Sequence, residues 1–167
     1  MNIQASDKRV VVRVYGLLFN PNKEVLITDE ERNGWKFSKF PGGGLEWGEG
    51  LVDALKREFL EETNLHLADI QHFYTTDFFQ QSAFNTNDQI LSVYYLTTAL
   101  GVLPGSLPPP ITEYSGTLSF RWIPLHKLTP ELFTFPIDKY VVGLLKNTEL
   151  ALKFLTVFVA SISFFFS

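Results

Sequence analysis

Residues 43 to 50 form a glycine-rich run, Gly43-Gly44-Leu45-Glu46-Trp47-Gly48-Glu49-Gly50, and lead straight into a helix-forming segment that begins at Leu51. At about 100° per residue, Leu51, Val52, Leu55 and Phe59 share one stripe, the face that a surface helix presses into a core. Asp53, Lys56 and Leu60 point away. On the same wheel Glu62 falls about 20° from Leu55, Glu58 about 60° and Glu61 about 120°. Two glutamates therefore stand where an apolar face is expected, and any fold built on this helix has to accommodate them.

Carboxylates spaced i, i+3 and i+4 repel one another by a few tenths of a kcal/mol per pair. The C-terminal end of a helix also favours cations over anions. On this reading Arg57 pairs with one of the three, not with all. The cluster asks for more positive charge, and a hard divalent cation held by oxygen ligands supplies it. Magnesium, which keeps several waters and bridges carboxylates to substrate phosphates, suits so sparse a site. A solvated acidic helix face is the competing reading and the commoner origin of glutamate clusters. The glycine run in front of the helix separates the two.

With that run included, the segment resembles the Nudix box, G-x5-E-x7-R-E-U-x-E-E-x-G-U, where U is a bulky aliphatic residue. Gly43, Glu49, Arg57, Glu58, Glu61, Glu62 and Leu65 match in register, and Phe59 takes the bulky position. Asn64 stands where the box has its last glycine. A left-handed C-cap accounts for that position, and asparagine tolerates such geometry next best after glycine. The box covers residues 43–65 of 167, with a looser likeness at Pro41-Gly42-Gly43-Gly44 and over residues 120–125.

The resemblance implies an α/β fold, a Nudix-like α/β/α sandwich with a mixed central sheet. It also implies a magnesium-dependent hydrolase, with Mn2+ as an alternative ion, that cleaves a diphosphate linkage in a nucleoside diphosphate joined to another moiety. Glu58 and Glu62 would then ligate the metal directly, and the backbone carbonyl of Gly42 would add a further ligand. Glu61 either ligates a second ion or holds a metal-bound water. Arg57 orients the glutamates, and Glu49, at the helix start, positions that arginine or a water. Hydrolysis also needs a base for the attacking water. Family members place it variably, often outside the box. Glu113, in the loop before the last strand, is the first candidate, with an ordinary solvated carboxylate as its alternative; Glu46, within the glycine run, could approach the metal, with a surface role as its alternative.

Substrate identity stays open. The downstream proline that marks ADP-ribose pyrophosphatases has no counterpart, since no proline falls between Pro41 and Pro104, and Phe78-Phe79-Gln80-Gln81 stand where dinucleoside polyphosphate hydrolases carry a tyrosine. Nudix domains also serve as non-catalytic nucleotide or metabolite sensors. Those usually lose box glutamates, and this chain keeps every one. Phe78, Phe79, Phe84, Tyr94 and Tyr95 fit either a base-stacking platform or a strand core. Trp47 is the tryptophan expected to be exposed near substrate, and His66, His72 and His126 have no metal-ligand spacing.

Composition narrows the partners. A net charge of −4 argues against a nucleic acid polymer, whose binding calls for a basic stripe. The absence of cysteine excludes disulfides and thiolate chemistry and fits a cytoplasmic protein. Met1 to Arg9 lack the apolar stretch of a signal peptide. Residues 1–148 are expected to form the catalytic domain and 149–167 a tail rich in phenylalanine, with Phe154, Phe158, Phe164, Phe165 and Phe166. From Phe154 onward the tail is shorter than the roughly 20 residues a bilayer crossing needs. A membrane anchor, an extra helix docked on the domain and a self-association patch giving a homodimer are the alternatives.

Apolar patterning predicts strands at 10–19, 24–28, 35–40, 70–79, 89–100 and 119–123, a helix at 137–146 and a proline-rich loop through 104–110. Asn20 to Lys23 reads as a hairpin turn joining the first two strands.

Overall fold

In the computed structural model, residues 8–101, 107–113 and 116–147 are described, the side chains of Thr112 and Glu113 excepted. The expected tail, 149–167, lies outside the described residues. Strands β1 (Arg9–Leu18), β2 (Glu24–Arg32), β3 (Trp35–Lys39) and β4 (Gly42–Gly44) precede helix α1 (Leu51–Thr63). Strands β5 (Leu67–Thr75), β6 (Asp88–Ala99), β7 (Ile111–Glu113) and β8 (Gly116–Pro124) follow, and α2 (Pro136–Asn147) ends the described chain.

One sheet runs β4-β1-β6-β5 and is mixed, with β1 parallel to β6 and the other pairs antiparallel. The second, β3-β2-β8-β7, is antiparallel throughout. Side chains alternate across a strand, and here both faces are covered. Val14, Leu18, Val93 and Tyr95 pack with Ala54, Leu55 and Phe59 of α1. Tyr15, Leu17, Tyr94 and Leu96 pack with Val141, Val142 and Leu145 of α2. A sheet buried on both faces reads as a near-continuous apolar run, as residues 10–19 do. The result is the expected α/β/α sandwich with a mixed sheet at its centre.

The predicted hairpin at Asn20 to Lys23 is corrected. β1 and β2 touch through one isolated bridge, Phe19 with Val25, and then enter different sheets. Asn20 sets this corner by accepting the Asn22 and Glu24 backbone N–H groups at 3.0 and 3.1 Å through its side-chain oxygen. The true hairpin joins β2 to β3 at Asn33 and Gly34, with φ of 51° and 79°, the signature of an Asn-Gly type I′ turn. It carries β2 four residues beyond its expected end at Thr28, because β3 and β8 pair with Asp29 to Arg32 on either side.

Two smaller differences bear on α1. Val52 is exposed, and the buried stripe is completed by Ala54 and Thr63. The Thr63 hydroxyl donates to the Phe59 carbonyl at 2.5 Å, so a polar residue is buried without an orphaned group. Asn64 ends the helix at φ 56°, ψ 28°, its N–H on the Leu60 carbonyl, the left-handed cap expected for the last glycine position of the box.

Asn64→Gly is expected to leave stability unchanged or raise it by up to about 1 kcal/mol, whereas Asn64→Ala should cost about 1 kcal/mol because alanine strains at positive φ. Urea unfolding followed by far-ultraviolet circular dichroism measures both. An alanine variant as stable as the native chain would contradict the cap.

Candidate active site

The glycine run is a strand before it is a loop. Gly42 to Gly44 pair antiparallel with Arg13 to Tyr15. A Cβ on Gly43 would lie 2.2 Å from the Glu58 carboxyl group, and one on Gly42, at φ +137°, would lie 2.1 Å from the Val14 carbonyl. Lacking side chains, the strand fits between β1 and the glutamate face of α1.

Arg57 organises most of that face. Its Nε and Nη2 grip the two oxygens of Glu49 at 2.6 and 3.0 Å. Nη2 also donates to the Gly44 carbonyl at 2.9 Å, and Nη1 reaches Glu58 and Glu61 at 3.1 Å each. A guanidinium offers five donors in a rigid fork, and besides Glu49 it reaches two of the three clustered carboxylates, Glu58 and Glu61, rather than the single one expected. Glu49 is held below the ordinary glutamate range by Arg57 and by the Glu46 backbone N–H.

Glu62 is left over. Its Oε2 is buried and has no hydrogen-bond partner. Burial pushes its carboxyl pKa up, Lys39 pulls it down, and Glu58 and Glu30 push it further up. A buried acceptor without a partner costs on the order of 1–3 kcal/mol, so this oxygen is poised for a ligand. Glu58, Glu61 and Glu62 line one cleft together with Glu30, Arg32 and the start of β8.

The expected ligand set is only partly assembled. Among the described residues no three carboxylates or histidines converge as a metal-holding group, and Glu58 and Glu61 each accept a hydrogen bond from Arg57. The Gly42 carbonyl accepts a hydrogen bond from Lys39 Nζ at 2.9 Å. Glu113 lies in β7, paired with Gly116, rather than in a loop, and that strand borders the cleft at Ile111. Its side chain lies outside the described residues. Glu46 is exposed, 3.9 Å from Arg57. Trp47 is fully exposed, as expected.

A second cavity of about 250 Å³ adjoins the cleft, sharing Glu30 and Arg32 with it. Phe37, Phe84 and Phe135 form its aromatic wall, and Tyr94, Asp138 and Lys39 bring polar groups to it. Of the aromatics flagged in the sequence, Phe84 and Tyr94 reach this cavity. Phe84 packs against Trp35 at 5.1 Å and Phe37 at 5.5 Å between ring centroids. Asp138 is buried and accepts the Tyr94 hydroxyl at 2.8 Å. Burial pushes its carboxyl up to about 7, against the opposing pull of Tyr94, Lys39 and Arg13. The three histidines lie outside both cavities.

Sequence reasoning missed Glu30, Lys39 and Asp138. Glu30 and Lys39 lie outside the box and meet across the Asn33-Gly34 hairpin, so recognising that turn was the available signal. Asp138 looks like any acid in the first turn of a helix.

A Nudix domain model matches residues 8–143, and the chain belongs to the Nudix family. Its class is that of the Nudix pyrophosphohydrolases. The fold is similar to the MutT Nudix hydrolase of Burkholderia pseudomallei, at 18% identity and a TM-score of 0.63 over 81% of this chain and 98% of that one. It is similar also to a putative Nudix hydrolase family member of Chromobacterium violaceum, at 22% identity and 0.61 over 93% and 94%. A Nudix hydrolase of Nitrosomonas europaea gives 20% identity and 0.60 over 81% and 90%. No curated protein matches the chain in sequence. No helix among the described residues is long and apolar enough to cross a membrane.

Folded Asp138 keeps its proton up to about pH 7, whereas the unfolded chain releases it near 3.8. The folded state therefore binds the extra proton between those values, and stability should fall as pH rises through that window and then level off. Asp138→Asn keeps an acceptor for Tyr94 and cannot ionise. It should flatten the decline and exceed native stability at about pH 8 by up to about 4 kcal/mol. Urea midpoints measured across pH decide; an unchanged slope in the variant contradicts the assignment.

Proposed function

We propose that the protein is a magnesium-dependent hydrolase that cleaves the diphosphate linkage of a nucleoside diphosphate joined to a second moiety. The observation that carries this reading is the buried, partnerless oxygen of Glu62, beside Glu58 and adjoining an aromatic-walled cavity. The donor set is oxygen only, the set that suits a hard cation, and the glycine strand leaves the carboxylates room. Glu58 and Glu62 would hold Mg2+ or Mn2+, with the Gly42 carbonyl as a further ligand and Glu61 on a second ion or a water. Such an ion would neutralise phosphate oxygens and lower the pKa of a water, so that a base can take its proton at neutral pH.

This chain's own residues do the rest. Arg57, locked by Glu49, sets where Glu58 and Glu61 point. Glu113, on the strand bordering the cleft, would take the proton of the attacking water. The cavity of about 250 Å³ is smaller than the roughly 300–1,000 Å³ typical of a whole drug-sized ligand, so it suits one moiety of a two-part substrate. Its aromatic wall favours a planar base. The acidic cleft and the net charge of −4 disfavour a nucleic acid polymer. A cytoplasmic site of action belongs to the same reading and rests on the cysteine-free composition.

Screening nucleoside diphosphate sugars, dinucleotides and nucleoside triphosphates with magnesium tests this, with Glu62→Gln as the control. Losing one ligand charge at nearly constant shape should lower turnover by at least about 100-fold. Stability without metal should stay equal or rise, since a buried charge is removed. Equal turnover in the variant would sink the ligand assignment, and silence across the panel would favour a sensor.

A further inference from the structure

Lys39 is the single lysine or arginine among the described residues that is buried, at 5% exposure. It ends β3, where the chain turns toward the glycine strand. Its ammonium donates to the Gly42 carbonyl at 2.9 Å and lies 3.5 Å from Glu30 Oε2. Its charge acts on the carboxyl groups of Glu62 and Asp138 alike. A desolvated ammonium is costly unless paired, and Glu30, which lines the acidic cleft and the aromatic cavity alike, is the carboxylate beside this one. We propose that Lys39 is a resident counter-ion of that cleft, occupying the Gly42 carbonyl until a divalent cation takes its place. The proposal rests on the metal-dependent reading above.

The geometry makes the two cations competitors. An ion bonded to the Gly42 carbonyl at the roughly 2.1 Å of a magnesium–oxygen bond would lie within about 5 Å of Nζ by the triangle inequality. Two positive charges that close, in a partly desolvated cleft, repel strongly. Cation uptake therefore requires the ammonium to move away, further into the aromatic cavity that Lys39 lines. Without the divalent ion, the same ammonium offsets the repulsion among Glu30, Glu58 and Glu62. Lys39 is a positioning residue: it sets the affinity for the ion and the order in which charges enter, and it performs no chemistry on the substrate.

Isothermal calorimetry with Mn2+ alone, without nucleotide, tests this on the full chain and on two variants. Lys39→Met removes the charge and frees the carbonyl; Lys39→Gln removes the charge and keeps a donor. Both should bind Mn2+ tighter than the native chain, Lys39→Met by roughly tenfold, and both should melt at lower temperature without metal. Should Lys39→Met fail to fold, Lys39→Gln carries the same test. Variant affinity equal to or weaker than native overturns the proposal while leaving the metal-dependent reading intact. No uptake of Mn2+ by the native chain overturns both.

Discussion

Helix α1 must bury the face on which it carries Glu58 and Glu62, and the site follows from how that conflict is met. Desolvating an unpaired carboxylate costs several kcal/mol, too much for a marginally stable domain to carry several times over. Arg57 absorbs Glu49, Glu58 and Glu61 with one rigid fork. Its Nη2 is also tied to the Gly44 carbonyl, which links β4 to the helix. Glu62 remains outside that network with its free oxygen buried. Arg57 is thus committed to orienting three carboxylates, and one anionic oxygen of Glu62 is left buried without a partner.

The sheets supply the space. β1 and β2 part after the Phe19–Val25 bridge and enter different sheets, so residues of both line the aromatic cavity: Tyr15 and Tyr94 from one, Glu30 and Phe37 from the other. A true hairpin at that corner would have kept the two strands in one sheet. The extended β2 then carries Glu30 to the boundary between cavity and cleft, and the turn at Asn33 and Gly34 returns β3 so that Lys39 meets it.

What was legible in the sequence was local. The box is read within one helix and the run before it, where 3.6-residue periodicity alone tells which carboxylates share a face, and Asn64 declared its cap by residue type. The helical wheel placed Glu62 nearer the buried stripe than Glu61, and the structure agrees, with the Glu61 side chain 59% exposed. A wheel gives directions and no reach, which is why the span of the Arg57 fork was not visible. Residues contributed singly by distant elements were illegible. Asp29 to Arg32 are poor strand formers, held in β2 only because strands pair on both sides, so Glu30 looked like a solvated end. Asp138 pairs with Tyr94 across 44 residues, and no local pattern announces such a contact.

Charge in the cleft sets the order of events. Glu30, Glu31, Glu58, Glu61 and Glu62 line it against Arg32, and Arg57 is already committed to three carboxylates. A diphosphate arriving alone would meet net negative potential in a partly desolvated space, where repulsion is far stronger than in water. The neighbouring cavity carries no such excess, since Arg13, Arg32 and Lys39 stand there against Glu30, Asp88 and Asp138, the last with its carboxyl pushed up to about 7 by burial. Under the proposed function, the two halves of a substrate would therefore face opposite conditions, one admitted by the bare protein and one admitted only with a cation in the cleft. Lys39, shared in its electrostatic reach by Glu62 and Asp138, stands where those conditions meet.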